Sequence, residues 1–475
     1  MRLSGPDRDL APVESPCPYG ERRYRDELGR GEVVEPRIES EKGGTMEGTV
    51  SLWVGIDWAS EEHQVCGVDA QGHKVFEEKV RHSGDGITQF VDRLLERVGG
   101  QADQLAVAME TPRGAILEAL IDRNVAAFSL NPKQLERFRD RYRVSGAKSD
   151  ALDAFVLANS LRTDTPAYRR IVLGEATIVE LRELRRAHTA LTRDATALGA
   201  RLREQLHRYY PQILQLGSPY DESWVWELLE QALTPTQGAR LSHAKVESLL
   251  RRHHIRAVTA EKVVATLRSK ALPVAPGVVA AASGHVQLLL PLIRLHRQQL
   301  SACMHQIDAL LAQLATPLSE TPSEDDEGPI PRDAAILLSV PGLGPLTSAT
   351  LLTEGWQALQ ERDYCALRLL CGVAPVTSQT GKQRPTPGSP YKVQVFMRRA
   401  CNEHLHDAAY HWARVASQRE ERAKAHYRQL RAAGHSHGRA LRGVADRLLK
   451  LLVTLLRSHS LYDPARRVMP KALAA

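Results

Sequence analysis

Ser51-Leu-Trp-Val-Gly-Ile-Asp57-Trp-Ala-Ser60 stays apolar until it meets an acid. A short apolar run of this kind, bounded by polar residues, reads as a buried strand with a carboxylate at its end. Working outward, Ser51–Trp58 and His63–Asp69 read as strands, and Gln71-Gly72 turns the chain into a third, His73–Val80. Ile87, Phe90, Leu94 and Leu95 then recur at helical spacing between Gly86 and Val98. A fourth strand, Gln104–Met109, leads to a helix opening near Pro112, and a fifth, Val125–Leu130, runs into mostly helical sequence. That order predicts an α/β nucleus: a mixed sheet with an initial meander and later crossover helices.

The remainder is helical. Leu181, Ala195 and Leu202 share one heptad position, Leu184, Leu191 and Leu198 the other, and Ile293, Leu300, Ile307 and Leu314 repeat every seventh residue. These predict a helical coiled-coil spacer over residues 174–316, with an insertion near 217–283. A solvated charged face explains Arg182, Arg185, Arg186, Arg193, Arg201 and Arg203 at least as well as nucleic-acid binding does. Residues 317–331 read as a Ser-, Pro- and acid-rich linker, 332–415 as a compact helical domain, and 416–475 as a basic amphipathic tail. Residues 1–46 lack apolar periodicity and read as a disordered arm or a mis-assigned start, with Met46 as the alternative first residue.

Composition narrows the function. The chain has 475 residues, 63 Lys+Arg against 56 Asp+Glu, and 5% aromatics. The excess charge permits a polyanionic partner, and so few aromatics exclude widespread stacking platforms. Its 6 cysteines never form a C-x-x-C pair, which argues against a zinc ribbon or disulfide framework and fits a reducing cytoplasm. Leu448–Leu456 reads as the most apolar stretch, too short to span a membrane and interrupted by Lys450. Residues 1–41, full of Pro, Gly and charge, are not expected to form a signal-peptide core.

Four acids carry the chemistry. Asp57 ends the first strand, Glu110 ends the fourth, and Asp150 and Asp153 lie three residues apart at a helix start, on one face. Singly, Asp57 could close a turn and Asp150 could cap the helix. Together, such carboxylates repel one another unless a hard cation, Mg²⁺ or Mn²⁺, lies between them. Two such metals about 4 Å apart serve phosphodiester chemistry. Further on, Ser339-Val-Pro-Gly342-Leu-Gly344-Pro predicts a helix-hairpin-helix element whose exposed N–H groups suit a DNA phosphate. Small hydroxyl residues in Cys371-Gly-Val-Ala-Pro-Val-Thr-Ser378-Gln-Thr380-Gly-Lys382, near Arg384, Lys392, Arg398 and Arg399, suit covalent phosphoryl transfer as well as a plain polar loop. Cys401, His404, His406 and His411 invite a metal reading, but helical recurrence of the histidines favours packing.

Taken together, Val54–Ser60, Met109–Gly114, Lys148–Ala154, Pro341–Leu352 and Cys371–Trp412 resemble the blocks of the DEDD transposases of the insertion-sequence-110 family, in the family's order. The resemblance implies a ribonuclease H-like (RuvC-like) catalytic domain over 50–165, holding Mg²⁺ on Asp57, Glu110, Asp150 and Asp153. It further implies a C-terminal domain supplying a hydroxyl nucleophile, subunits that complete each other's site in a dimer or tetramer, and a bridge RNA that guides the enzyme to DNA. Lys148, Gly342, Gly344, Lys382, Arg384, Lys392, Arg398 and Arg399 are the expected nucleic-acid contacts. One departure stands out: the family's serine position holds Thr380, and Ser378 lies two residues early. Thr380, Ser378 after a loop shift, and an inactive copy are the three readings, the first preferred. A RuvC-like nuclease without covalent attachment and a non-catalytic nucleic-acid-binding remnant are the alternatives to a recombinase. A sugar-kinase or actin-type ATPase shares the opening Gly-Ile-Asp but needs later glycine-rich phosphate loops, which are missing from the expected places.

Overall fold

The computed structural model describes residues 50–110, 114–130, 132–142, 149–172, 174–218, 221–317, 331–378 and 394–464. Residues 1–46, most of the 317–331 segment, Lys148, Thr380, Lys382, Arg384 and Lys392 lie outside them. The chain divides into two compact units, up to Leu173 and from Gly174.

The first unit is built on a six-stranded sheet in the order β3-β2-β1-β4-β5-β6. Its strands are β1 (Leu52–Asp57), β2 (Glu62–Val68), β3 (Lys74–Arg81), β4 (Leu105–Met109), β5 (Ala126–Ser129) and β6 (Arg169–Arg170). β1, β2 and β3 form an antiparallel meander, β1, β4 and β5 run parallel, and the short β6 returns antiparallel on β5. The expected strands therefore stand within a residue or so of their predicted bounds; β6 is additional. Helices α1 (Gly84–Arg97), α2 (Ala115–Asp122), α3 (Pro132–Asp140) and α4 (Asp150–Thr163) complete the unit.

Alternation along β1 sorts the two faces. Leu52, Val54 and Ile56 are buried with Phe90 and Leu94 of α1 and Ile116 and Leu120 of α2. On the opposite face, Ala106, Ala108 and Phe128 meet Leu135 of α3 and Val156, Leu157 and Leu161 of α4. Gly55 is required there: a Cβ on it would sit 2.0 Å from the Ala154 carbonyl oxygen and 2.6 Å from the Ala158 nitrogen. Its bare Cα lets α4 lie directly on β1.

The second unit is organised by two long helices, α5 (Ala176–Tyr209) and α10 (Pro276–Ala315). Between them stand α6 (Ser223–Gln231), α7 (Pro235–Ala239), α8 (His243–Arg252) and α9 (Ala260–Leu267). Leu198, Leu202 and Tyr209 of α5 share a core with Val286, Leu290 and Ile293 of α10 and with Trp224 of α6 and Val263 of α9. Ile178 and Leu181 share another with Ile307, Leu311 and Leu314. The start of α5 thus meets the end of α10, so the pair is antiparallel. By length and composition α10, with a mean hydropathy of 1.5 over its best window, is the one helix among the described residues apolar enough to cross a membrane. This longer stretch is less densely apolar than Leu448–Leu456 and was not singled out in the sequence.

After α10 come α11 (Asp333–Ser339), α12 (Pro345–Glu354), α13 (Trp356–Gln360), α14 (Tyr364–Leu370), the pair β7 (Pro375–Ser378) and β8 (Gln394–Met397), then α15 (Glu403–Arg419), α16 (Glu421–Ala432) and α17 (His437–Arg457). A region expected to be helical throughout therefore carries a two-stranded antiparallel sheet. Arg182, Arg185 and Arg186 do not point away from the core. They reach the Thr353 carbonyl (3.0 Å), Thr350 Oγ1 (2.9 Å) and Glu354 Oε1 (3.1 Å), fastening α5 to α12. Arg193, Arg201 and Arg203 are exposed. The segment read as a tail is helical, but Leu441, Leu449, Leu452 and Leu456 of α17 lie in the same core as Leu337, Leu351 and Trp412.

Candidate active site

Register alone brings the first two acids together. Ile56 pairs with Met109 across the parallel β1–β4 ladder. Asp57 and Glu110, each the next residue, therefore emerge side by side at the carboxyl ends of adjacent strands. Gly55 and Asp57 point to the same face, two residues apart. Since Gly55 lies under α4 at Ala154 and Ala158, Asp57 faces the first turn of that helix, which carries Asp150 and Asp153. The first turn is a favourable place for carboxylates because the helix dipole is positive there. Ser149 is the N-cap residue of α4, so Asp150 stands inside the helix rather than capping it.

The four carboxylates feel one another. Burial, then the charges of Asp153, Asp150 and Glu110, push the Asp57 carboxyl up from 3.8 to about 6, against a smaller lowering by Arg139. A carboxylate raised by both desolvation and like charge makes this a candidate functional site. Side chains do not close round an ion: among the described residues no three His, Cys, Asp or Glu are gathered tightly enough to hold one. Asp153 instead has a partner the sequence did not disclose. Arg139 Nε and Nη2 donate to its two oxygens at 2.5 and 2.8 Å, and both side chains are 13% exposed. The basic run Arg137-Phe-Arg139-Asp-Arg141, a few residues before Asp150, was the available signal.

The turn after β1 is held by a histidine pair, also unforeseen. The Ala59 N–H donates to Nδ1 of fully buried His63 (3.2 Å), so Nε2 carries the proton and donates to His82 Nδ1 (2.9 Å). Burial, with His82 beside it, pulls the His63 pKa below the usual imidazole value.

In the second unit, Gly342 has φ +84° and lies where a Cβ would come within 3.2 Å of the Ala416 nitrogen. Trp412 Nε1 donates to the Pro341 carbonyl at 3.1 Å. This turn is therefore clamped on α15, and Gly342 serves packing. Gly344 is exposed, with open space around it, and is the N-cap residue of α12. Ser378 ends β7 opposite Gln394 of β8. Gly372, at φ +65°, is packed against Cys401 and His406 at the foot of this sheet. Arg398 is half-buried and Arg399 exposed. On α15 it is Leu405, Ala409 and Trp412 that pack, whereas His404 is half-buried and His411 exposed beside Tyr410. The packing expected of both histidines fails for His411.

Two family models match the chain. One, a transposase model of the DEDD type for IS110 elements, covers residues 54–211 and so includes all four acids. The other, described as the transposase IS116/IS110/IS902 family, covers residues 334–428. The protein named as transposase of the IS117 mini-circle in Streptomyces coelicolor is 31% identical over 90% of this chain and 99% of its own length. The 43.6 kDa protein of insertion element IS110, from the same organism, is 25% identical over 87% of this chain and 96% of its own. The transposase-named y4uE protein of Sinorhizobium fredii is 38% identical over 46% of this chain, and the match spans 60% of that relative.

Proposed function

The chain belongs to the IS116/IS110/IS902 family of transposases, and from that premise we propose that it excises and inserts a mobile DNA element with four metal-binding acids and a hydroxyl nucleophile. The observation that carries this reading is the convergence of Glu110, Asp150 and Asp153 on Asp57, whose carboxyl is raised to about 6 by burial first and by those three charges next. A set of oxygen donors with mutual repulsion fits Mg²⁺ or Mn²⁺ in chemistry, and Arg139, paired with Asp153, offsets only part of their charge. When bound, such ions stabilise charge on the attacking and departing oxygens of a phosphodiester.

The chain's own residues do the rest. Asp57, Glu110, Asp150 and Asp153 are the ligands, positioned by β1, β4 and α4. Thr380 Oγ1 attacks the scissile phosphorus; a threonyl P–O bond forms as the bond to the deoxyribose oxygen breaks. The threonine loses its proton and the leaving oxygen gains one, so the hydroxyl balance is kept and the reverse step rejoins a new end. Gly344 offers the start of α12 to the DNA backbone in a helix-hairpin-helix, with Gly342 shaping its turn. Lys148, Lys382, Arg384, Lys392, Arg398 and Arg399 supply positive charge to phosphate. A bridge RNA selects the sites, and a cytoplasmic homodimer or homotetramer brings the RuvC-like and C-terminal domains together, with the antiparallel α5–α10 pair as a coiled-coil spacer.

Mg²⁺-dependent nicking of element-end DNA tests this reading. Asp57→Asn is expected to lower it by about 10³-fold or more, and undiminished nicking would overturn it. One observation favours a second reading, a nuclease without covalent attachment: all four acids belong to the first unit. A nuclease keeps cutting after Thr380→Ala.

A further inference from the structure

We propose that Arg139 is a positioning residue of the acid site: its guanidinium and the metal compete for Asp153, so that Arg139 sets how tightly the site takes up its ion. This rests on the reading of the four acids as ligands.

The geometry of the pair is the basis. A fork of two donors engages both oxygens of Asp153, at 2.5 and 2.8 Å, with each partner 13% exposed. Such bidentate pairing is the strongest a carboxylate makes with a side chain, and it orients the carboxylate plane. A metal bound to Asp153 needs one of those oxygens and brings two positive charges beside the guanidinium. Both cations cannot hold the carboxylate at full strength, so ion uptake costs all or part of the Arg139 pair. Arg139 also lies in the last turn of α3, where the helix dipole favours a cation, which adds to the paired state. Asp153 moreover shares the first turn of α4 with Asp150. Asp153 thus faces two claims at once, the Arg139 fork on both its oxygens and the negative charge of Asp57 nearby. Arg139 therefore offsets part of the acids' negative charge in the ion-free protein and ties α3 to the first turn of α4.

The test is a Mn²⁺ titration of the full chain, followed by the loss of the free-ion electron paramagnetic resonance signal, with ion-free thermal stability measured in parallel. Ligand competition predicts that Arg139→Gln binds Mn²⁺ about tenfold more tightly than the wild type while its ion-free melting temperature falls. Arg139→Lys, with one donor in place of the fork, is expected between the two and stands in if the glutamine variant does not fold. Asp153→Asn should weaken binding. A glutamine variant with unchanged or weaker Mn²⁺ affinity would overturn the proposal and leave Arg139 a fastener between α3 and α4. If Asp57→Asn binds Mn²⁺ as the wild type does, the acid-site reading itself fails, and the inference with it.

Discussion

The acid face of the first unit and the hydroxyl segment of the second are built on opposite principles. Asp57 and Glu110 stand at the ends of two central parallel strands, and Asp150 and Asp153 on a helix whose backbone touches β1 through Gly55. Every one of these positions is fixed by core packing behind it. Ser378, by contrast, ends an exposed two-stranded ribbon in which Val376, Phe396 and Met397 are 38%, 51% and 43% exposed. Groups that must hold charge against repulsion need a rigid frame, because each ångström of relaxation weakens their coupling. Under the proposed reading, a hydroxyl that must reach a phosphate and later give it up is better served by an exposed ribbon than by a packed core.

Three substitutions can break or sharpen that contrast. The largest effect is expected from Gly55→Val. Its side chain would overlap the α4 backbone, which cannot move without unseating Asp150 and Asp153, so a loss of about 3 kcal/mol or more is expected. Chemical denaturation checks it, and a neutral result would mean that α4 is not seated on β1 as described.

Next is Asp57→Asn, read without metal. The folded carboxyl titrates at about 6 and the free one at 3.8. Between those values the folded protein holds the extra proton, so stability falls as pH rises from about 4 to 6, and the penalty is complete above 6. Asparagine removes that penalty; the shift is worth about 3 kcal/mol, discounted for the partial exposure of Asp57 to about 2 kcal/mol of added stability in the ion-free variant at pH 7, with no gain below pH 4. A destabilised variant at pH 7 would show that the acids do not strain the fold. The smallest effect is Gly342→Ala, where positive φ and a contact of 3.2 Å predict a loss of about 1–2 kcal/mol. DNA cleavage by the surviving folded fraction should be unchanged if Gly342 serves packing alone.

Much of the acid site was legible because it is written in short-range pattern. Apolar runs that end on Asp57 and Glu110 place both acids at strand ends, and three-residue spacing puts Asp150 and Asp153 on one helix face. The parallel pairing that sets Asp57 beside Glu110 follows from the crossover between β1 and β4. Arg139 was not legible, since an arginine on a polar helix has the same local signature whether it meets solvent or Asp153. The same holds for Arg182, Arg185 and Arg186, whose partners on α12 are more than 150 residues away in sequence. Two-residue β6 and the β7–β8 pair were missed because neither has the length for a clear alternating pattern. Gly342 was noticed for its turn, but its contact with Ala416 depends on a helix that only the fold brings to it.

Covalent trapping bears most directly on the account. Full-length protein, co-expressed with the noncoding RNA flanking its gene, is mixed with labelled element-end DNA and Mg²⁺, denatured, and mapped by mass spectrometry. A DNA adduct on Thr380, absent in Thr380→Ala and in Asp57→Asn, is the predicted result. Metal-dependent cleavage with no protein–DNA adduct would contradict it and leave a hydrolytic nuclease in place of a recombinase.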